Sequence, residues 1–248
     1  RLTDGGENAE GYFSWAGDRL VYQATFGEMD CDQVFSLDLL SGSRTLVSTG
    51  LGRCTCAFWM PKDKGILFAS THGGNPKCPP PPDFSKGYIW KIYPDYDLWI
   101  RNLENQELTP LAHSPGYDAE AVVSPDGKWI VFTSTRSGDL DIWIMKSDGS
   151  DIRQLTHDLG YDGGPFFSRD SKRIVYRSWH PENPAEAARY RSLLAQNSVE
   201  PMALQIRTMN LTGENRIQVT DNGAANFAPY FHPDGKRILF SSNMGDPA

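Results

Sequence analysis

The sequence predicts an all-β fold: a β-propeller of four-stranded antiparallel blades, about four and a half of them in 248 residues, with one short helix in an inter-strand insertion. Three observations predict it. A strand–turn–strand phrase recurs five times in one register. Third and fourth strand patterns follow it. Extra residues enter at one fixed place in the unit.

The phrase reads YFSWAGDRLVY (12–22), FWMPKDKGILF (58–68), VVSPDGKWIVF (122–132), FFSRDSKRIVY (166–176) and YFHPDGKRILF (230–240). Its first turn residues are Ser14, Met60, Ser124, Ser168 and His232, so successive units step by 46, 64, 44 and 64 residues. Pro-Asp-Gly supplies a preset φ and then a residue that tolerates positive φ, which reverses the chain tightly. WIVF, RIVY and RILF are apolar on both faces and bounded by turns, as strands covered from both sides should be. The third strands are QVFSL, DLWIR, DIWIM and QIRTM. A second turn such as KSDGSD leads to a more polar fourth strand, RQLT or IQVT. A four-stranded unit every 44 or so residues is a blade that its neighbours must cover. The blades are expected at 7–50, 51–116, 117–160, 161–223 and 224–248 of a single domain.

Insertions at 73–94 and 181–201 separate the second strand from the third. The first carries four consecutive prolines, which favour an extended path. The second holds the helix signal: Asn183 as cap, Pro184 in the first turn, Glu186 completing a capping box and Asn197 as the stop. Loops that grow on one rim while the blades stay fixed usually build a binding face.

Composition narrows the function classes. With 24 basic and 31 acidic residues the net charge is −7, which argues against a nucleic-acid binder. No apolar stretch approaches the roughly 20 residues that span a bilayer. G-x-S-x-G, P-loop and G-x-G-x-x-G patterns are absent. Four cysteines, Cys31, Cys54, Cys56 and Cys78, permit two disulfides in an oxidising compartment; free thiols and a metal site are the alternatives. A single residue between Cys54 and Cys56 is short of the usual zinc spacing. Cys31 and Cys78 fall in loops after second strands, while Cys54 and Cys56 enter a first strand of the same rim. Each of the first pair is therefore expected to bond one of the second.

Aligned units place Glu10, Cys56, Glu120, Gly164 and Ala228 four residues before the anchor, and Asn8, Cys54, Asp118, Asp162 and Asn226 two residues earlier. Innermost strands would set these around a channel mouth, with both sets on one side by strand alternation. The candidate binding residues are Asn8, Glu10, Asp118, Glu120, Asp162 and Asn226, joined by His72, Arg136 and His180 just after the second strands. Three roles remain open: hydrogen-bonding of loops, reception of a partner's basic segment, and a Ca²⁺ site with Glu10 and Glu120 as ligands. His113, His157 and His232 are read as structural or surface residues.

The turn-strand S-P-D-G-K-x-I-x-F-x-S, the strand D-I-W-x-M, the ending D-G-S-x-x-R-Q-L-T and Tyr-Asp at the next blade's entry resemble the repeat of TolB-like β-propellers, over nearly the whole chain except the insertions. The resemblance implies six blades, a bacterial periplasmic or extracellular location, and a protein–protein interaction scaffold without enzymatic activity. It also implies alternatives, since related propellers precede the hydrolase domain of prolyl-oligopeptidase-type enzymes, and some sugar-acid lyases use a His-rich metal site in such a channel. The pattern opens mid-unit at RLTDGG and its fifth unit stops two strands in, so about one and a half more blades are expected downstream. A protein partner is expected; a nucleic acid or a membrane span is not.

Overall fold

The computed structural model describes residues 2–83, 85, 88–200 and 203–245. Parts of both expected insertions (Phe84, Lys86, Gly87 and Pro201) and the last three positions of the fifth unit lie outside them. Strands β1 (Glu7–Phe13), β2 (Arg19–Thr25), β3 (Gln33–Asp38) and β4 (Arg44–Leu46) form the first sheet in chain order. The second takes β5 (Cys54–Trp59), β6 (Gly65–Ser70), β8 (Asp97–Asn102) and β9 (Leu108–Ala112), with the short β7 (Trp90–Lys91) inside the insertion. The third is β10 (Asp118–Val123), β11 (Trp129–Ser134), β12 (Asp141–Lys146) and β13 (Arg153–Gln154). The fourth is β14 (Tyr161–Phe167), β15 (Arg173–Trp179), β17 (Gln205–Asn210) and β18 (Ile217–Gln218), with α1 (Pro184–Leu194) and β16 (Ser198–Val199) inserted before β17. β19 (Asn226–Phe231) and β20 (Ile238–Ser242) pair as the start of a fifth.

The chain divides into two compact units, residues 1–80 with 94–123, and residues 81–93 with 124–248. In the first, period-two alternation along β2 feeds two cores. Val21 packs with Val34, Val47, Trp59, Ile66 and Phe68, while Leu20 and Tyr22 turn to Phe35 and Leu37. That is why RLVY can be apolar throughout. Trp59, 1% exposed, also donates its indole N–H to the Tyr12 carbonyl at 2.9 Å, so its large ring is buried without leaving a polar atom unpaired. In the second unit Val175, Ile206 and Phe231 form a buried cluster with Phe166, Ile238 and Phe240 against it.

Where the anchor is a serine, its hydroxyl pins the recurrent turn. Ser124 Oγ donates to Asp126 Oδ1 (2.7 Å) and accepts the Trp129 N–H (3.0 Å); Ser168 does the same with Asp170 (2.6 Å) and Arg173 (2.9 Å). The glycine position is left-handed in each case: Gly17 φ 75°, Gly127 φ 72°, Gly235 φ 68°, and Ser171 φ 57° where the fourth unit lacks the glycine.

A second device closes the other end of the blade. Thr156, just past β13, accepts the Ile142 N–H (2.9 Å) and donates to Asp141 (3.0 Å) at the start of β12. Thr220 with Ile206 and Gln205, and Ser48 with Val34 and Gln33, repeat the arrangement. The terminal Thr of R-Q-L-T is thus a latch between the fourth and third strands.

Helix α1 begins as its local chemistry dictates. The Asn183 side chain accepts the Glu186 N–H (3.0 Å), and Glu186 Oε2 accepts the Glu182 N–H (2.9 Å). Its C-cap is Ala195, and Asn197, the expected stop, is left-handed two residues later (φ 52°). Tyr190, 3% exposed, anchors it, with its hydroxyl 2.5 Å from Asp139 Oδ1 and 2.7 Å from the Gly160 carbonyl.

The disulfide pairing differs from expectation. Cys31 bonds Cys78, with Cα atoms 5.7 Å apart, and Cys54 and Cys56 are free thiols. Cys54 faces the blade interior, where its sulfur lies 3.2 Å from Ser70 Oγ, and Cys56 sits at a backbone kink. Both are committed to strand β5, whereas the two loop cysteines approach each other directly.

Candidate functional site

The residues four before each anchor share one conformation. Glu10 (φ 50°), Cys56 (φ 52°), Glu120 (φ 54°), Gly164 (φ 57°) and Ala228 (φ 47°) are all left-handed. The ladder slips there, between Ala9 and Tyr12, Thr55 and Phe58, Gly163 and Phe166, and Phe227 and Tyr230. These are β-bulges, which re-aim a side chain out of the pleat. The alternation that would put this set and the preceding one on the same side is therefore interrupted.

Within the first unit the bulges gather acid around a thiol. Glu10 Oε2 accepts the Cys56 N–H (3.0 Å), and Gln23 Oε1 accepts it from the other side (3.3 Å). Desolvation, then the charges of Glu10 and Glu120, hold the Cys56 thiol well above its ordinary range. Burial pushes Cys54 up to about 11. Neither thiol is a nucleophile at neutral pH.

Within the second unit the same position is Gly164, and a different residue fills its place. A Cβ on Gly164 would lie 3.1 Å from Arg177 Cζ. The guanidinium stacks over Trp90 (5.3 Å), Tyr161 (5.6 Å) and Phe227 (6.0 Å), and its Nε–H donates to the Tyr161 hydroxyl (3.0 Å). Trp90 arrives from the first insertion: β7 pairs with β16 of the second, Trp90 opposite Val199 and Lys91 opposite Ser198. The Ile92 N–H donates to the Asn197 carbonyl (2.9 Å), and Lys91 Nζ to that of Gln196 (3.3 Å). Sequence reasoning missed Arg177 and Trp90. A glycine in a column otherwise holding Glu, Cys and Ala was the available sign.

The earlier set is mostly interior. Cys54, Asp118 and Asn226 are 0% exposed and Asp162 is 1% exposed. Asn226 Nδ2 donates to the carbonyls of Leu204 (2.7 Å) and Ala224 (3.1 Å), and Asp118 accepts from Ser114 Oγ (3.0 Å). Asn8 is exposed and donates to the Gly5 carbonyl. The Ala224 and Ser114 contacts tie β19 and β10 to the loops that precede them.

The residues after the second strands form a Ser-x-His/Arg series. His72 Nδ1 lies 2.8 Å from Ser70 Oγ with its ring 4.3 Å from Trp99, and burial lowers its pKa. Arg136 donates to Ser134 Oγ (3.0 Å) and stacks 5.1 Å from both Phe132 and Trp143. His180 instead reaches Asp162, Nε2 to Oδ1 3.2 Å. A second pair was not foreseen: His113, one residue past Ala112 at the position where other blades have the latch Ser or Thr, has its Nδ1 2.9 Å from both oxygens of Asp97. Burial raises the Asp97 carboxyl, and His113 pulls it back. Among the described residues no three His, Cys, Asp or Glu side chains are grouped to hold a metal, so Glu10 and Glu120 are not part of such a cluster.

Residues 93–188 match the family model described as the TolB beta propeller domain. Over that stretch the chain carries a TolB-type propeller repeat. Its fold is similar to a TolB protein of Agrobacterium tumefaciens (20% identity, TM-score 0.66, covering 93% of this chain and 72% of that one). It is similar also to TolB of Acinetobacter baumannii (16%, 0.67, 94% and 48%) and to the oligogalacturonate lyase of Vibrio parahaemolyticus (12%, 0.58, 93% and 57%). At these identities the likeness is one of fold, and this chain spans about half the length of the A. baumannii protein. No curated protein matches it by sequence.

Proposed function

We propose that this TolB-like propeller is a non-enzymatic interaction scaffold of the bacterial periplasm or exterior, and that it receives a protein partner on the face its two insertions build. One observation carries the reading: the insertions pair strand to strand as β7 and β16 and seat Trp90 on Tyr161, Phe227 and Arg177. Exposed loops that were mere ornament would have no reason to lock together. Beside that sheet Tyr88 is 66% exposed, an aromatic of the type that anchors interfaces. The Cys31–Cys78 disulfide supports an oxidising compartment. No helix among the described residues is long and apolar enough to cross a membrane. The enzyme alternative rests on a likeness to lyase and peptidase propellers at 16% identity or less, which carries fold alone.

Cross-linking the native chain in its own envelope extract tests this. Cross-links to a specific protein should map to residues 88–91 and 196–200, and Tyr88→Ala should cut capture at least tenfold. Cross-links confined to other surfaces would overturn the assignment of the face.

A further inference from the structure

In the second unit, the loop before β14 and the start of α1 line an open surface cavity of about 450 Å³. Leu159, Pro181, Pro184 and Ala187 give it an apolar wall, and Asp158, Glu182 and His180 supply its polar groups. Next to the lining residue Leu159, the backbone packs closely against the Trp179–His180 segment. Gly160 has φ +139°, and a Cβ there would meet the Trp179 carbonyl oxygen at 2.2 Å and His180 at 2.9 Å.

The imidazole of His180 is held from behind by Asp162, which is 1% exposed. In the neutral tautomer that carries its proton on Nε2, facing that carboxylate, Nδ1 is the acceptor. Asp162 Oδ2 is buried without a hydrogen-bond partner, so the charge behind the imidazole is half satisfied. Its field is felt nearby: after burial, the Asp162 charge helps to raise both Asp139 and Asp141. At the mouth Asp158 is neutralised by Arg216 (2.8 Å), while Glu182 has no cationic partner among the described residues. The first turn of α1, which could have attracted an anion, is already closed by its own capping box, with Glu186 receiving the Glu182 N–H and the Asn183 amide.

We propose that this cavity binds an ammonium or guanidinium group carried on an aliphatic chain. The methylenes lie on Leu159, Pro181, Pro184 and Ala187. The cation meets the Glu182 carboxylate and donates one N–H to Nδ1 of His180. Its charge offsets that of Asp162. Two sources share this chemistry, a lysine or arginine side chain of another protein and a free polyamine. The site is independent of the face formed by β7 and β16, with which it has no residue in common.

Calorimetric titration of the native chain with spermidine, and separately with a capped Gly-Lys-Gly peptide, tests the proposal and separates the sources by which probe binds more tightly. Saturable binding of at least one is expected, with the Nε-acetylated peptide inactive. Glu182→Gln, an exposed change that leaves the fold intact, should weaken binding at least fivefold. Ala187→Trp should abolish it by filling the cavity. No saturation by either probe at millimolar concentration, or saturation indifferent to both substitutions, overturns the site.

Discussion

Asp141 stands buried at the head of β12, where Ser137, Gln154 and Thr156 all donate to it. Burial outweighs those donors and, with the charges of Asp139 and Asp162, pushes its pKa up to about 6. A carboxyl raised in the folded state holds its proton more tightly there than in the unfolded chain. Its contribution is complete below about pH 4 and is lost as pH rises through about 6. Asp141→Asn should remove that decline. Between pH 4.5 and 7, urea unfolding should show wild type losing about 1–2 kcal/mol more than the variant. Equal changes in the two proteins would refute the assignment. The candidates Glu10, Glu120, Asp162 and His180 were legible in the sequence because the repeat aligns them. Their surroundings were not, because a left-handed bulge and a desolvated carboxylate have no residue-type signature: Glu, Cys, Gly and Ala all occupy the bulge.

Among the elements, the latch makes the clearest demand. Thr156→Val keeps the shape but leaves the Ile142 N–H and one Asp141 oxygen without their partner inside the blade. It should cost about 1–3 kcal/mol in denaturant unfolding, whereas Thr212→Val in an exposed turn should change little. Comparable losses for both would show that the latch carries no special weight. R-Q-L-T read as a polar strand, yet β13 ends at Gln154 and the threonine does its bonding beyond it. Helix α1 was legible because Asn183, Pro184 and Glu186 act within one turn. The strands β7 and β16 were not: each is two residues long, with no period to detect and a partner about a hundred residues away.

Both cysteines of the disulfide belong to the first compact unit, and the bond joins residues 47 apart in sequence. Closing a loop of that length restricts the unfolded chain by about 4 kcal/mol. Reduction should therefore speed hydrogen exchange across 1–80 and 94–123 while leaving 124–248 as it was. Acceleration spread equally over both units would contradict a local role. Alkylation before reduction should leave the native thiols Cys54 and Cys56 untouched at pH 7, consistent with their raised pKa values. The wrong pairing expected from the sequence shows what is missing at this level. Nearness along the chain and a shared rim do not say which sulfurs point at one another.

Turn chemistry and period-two patterning act over five or six residues, so a reader of the chain alone can recover the four-stranded blades and the capped helix. Contacts such as Trp90 on Arg177, His113 on Asp97 and Cys31 on Cys78 bring together positions 16 to 87 residues apart. Which of many chemically suitable partners meet is settled by where the folded blades carry their loops, and that information is spread over the entire chain, not written in any one stretch of it.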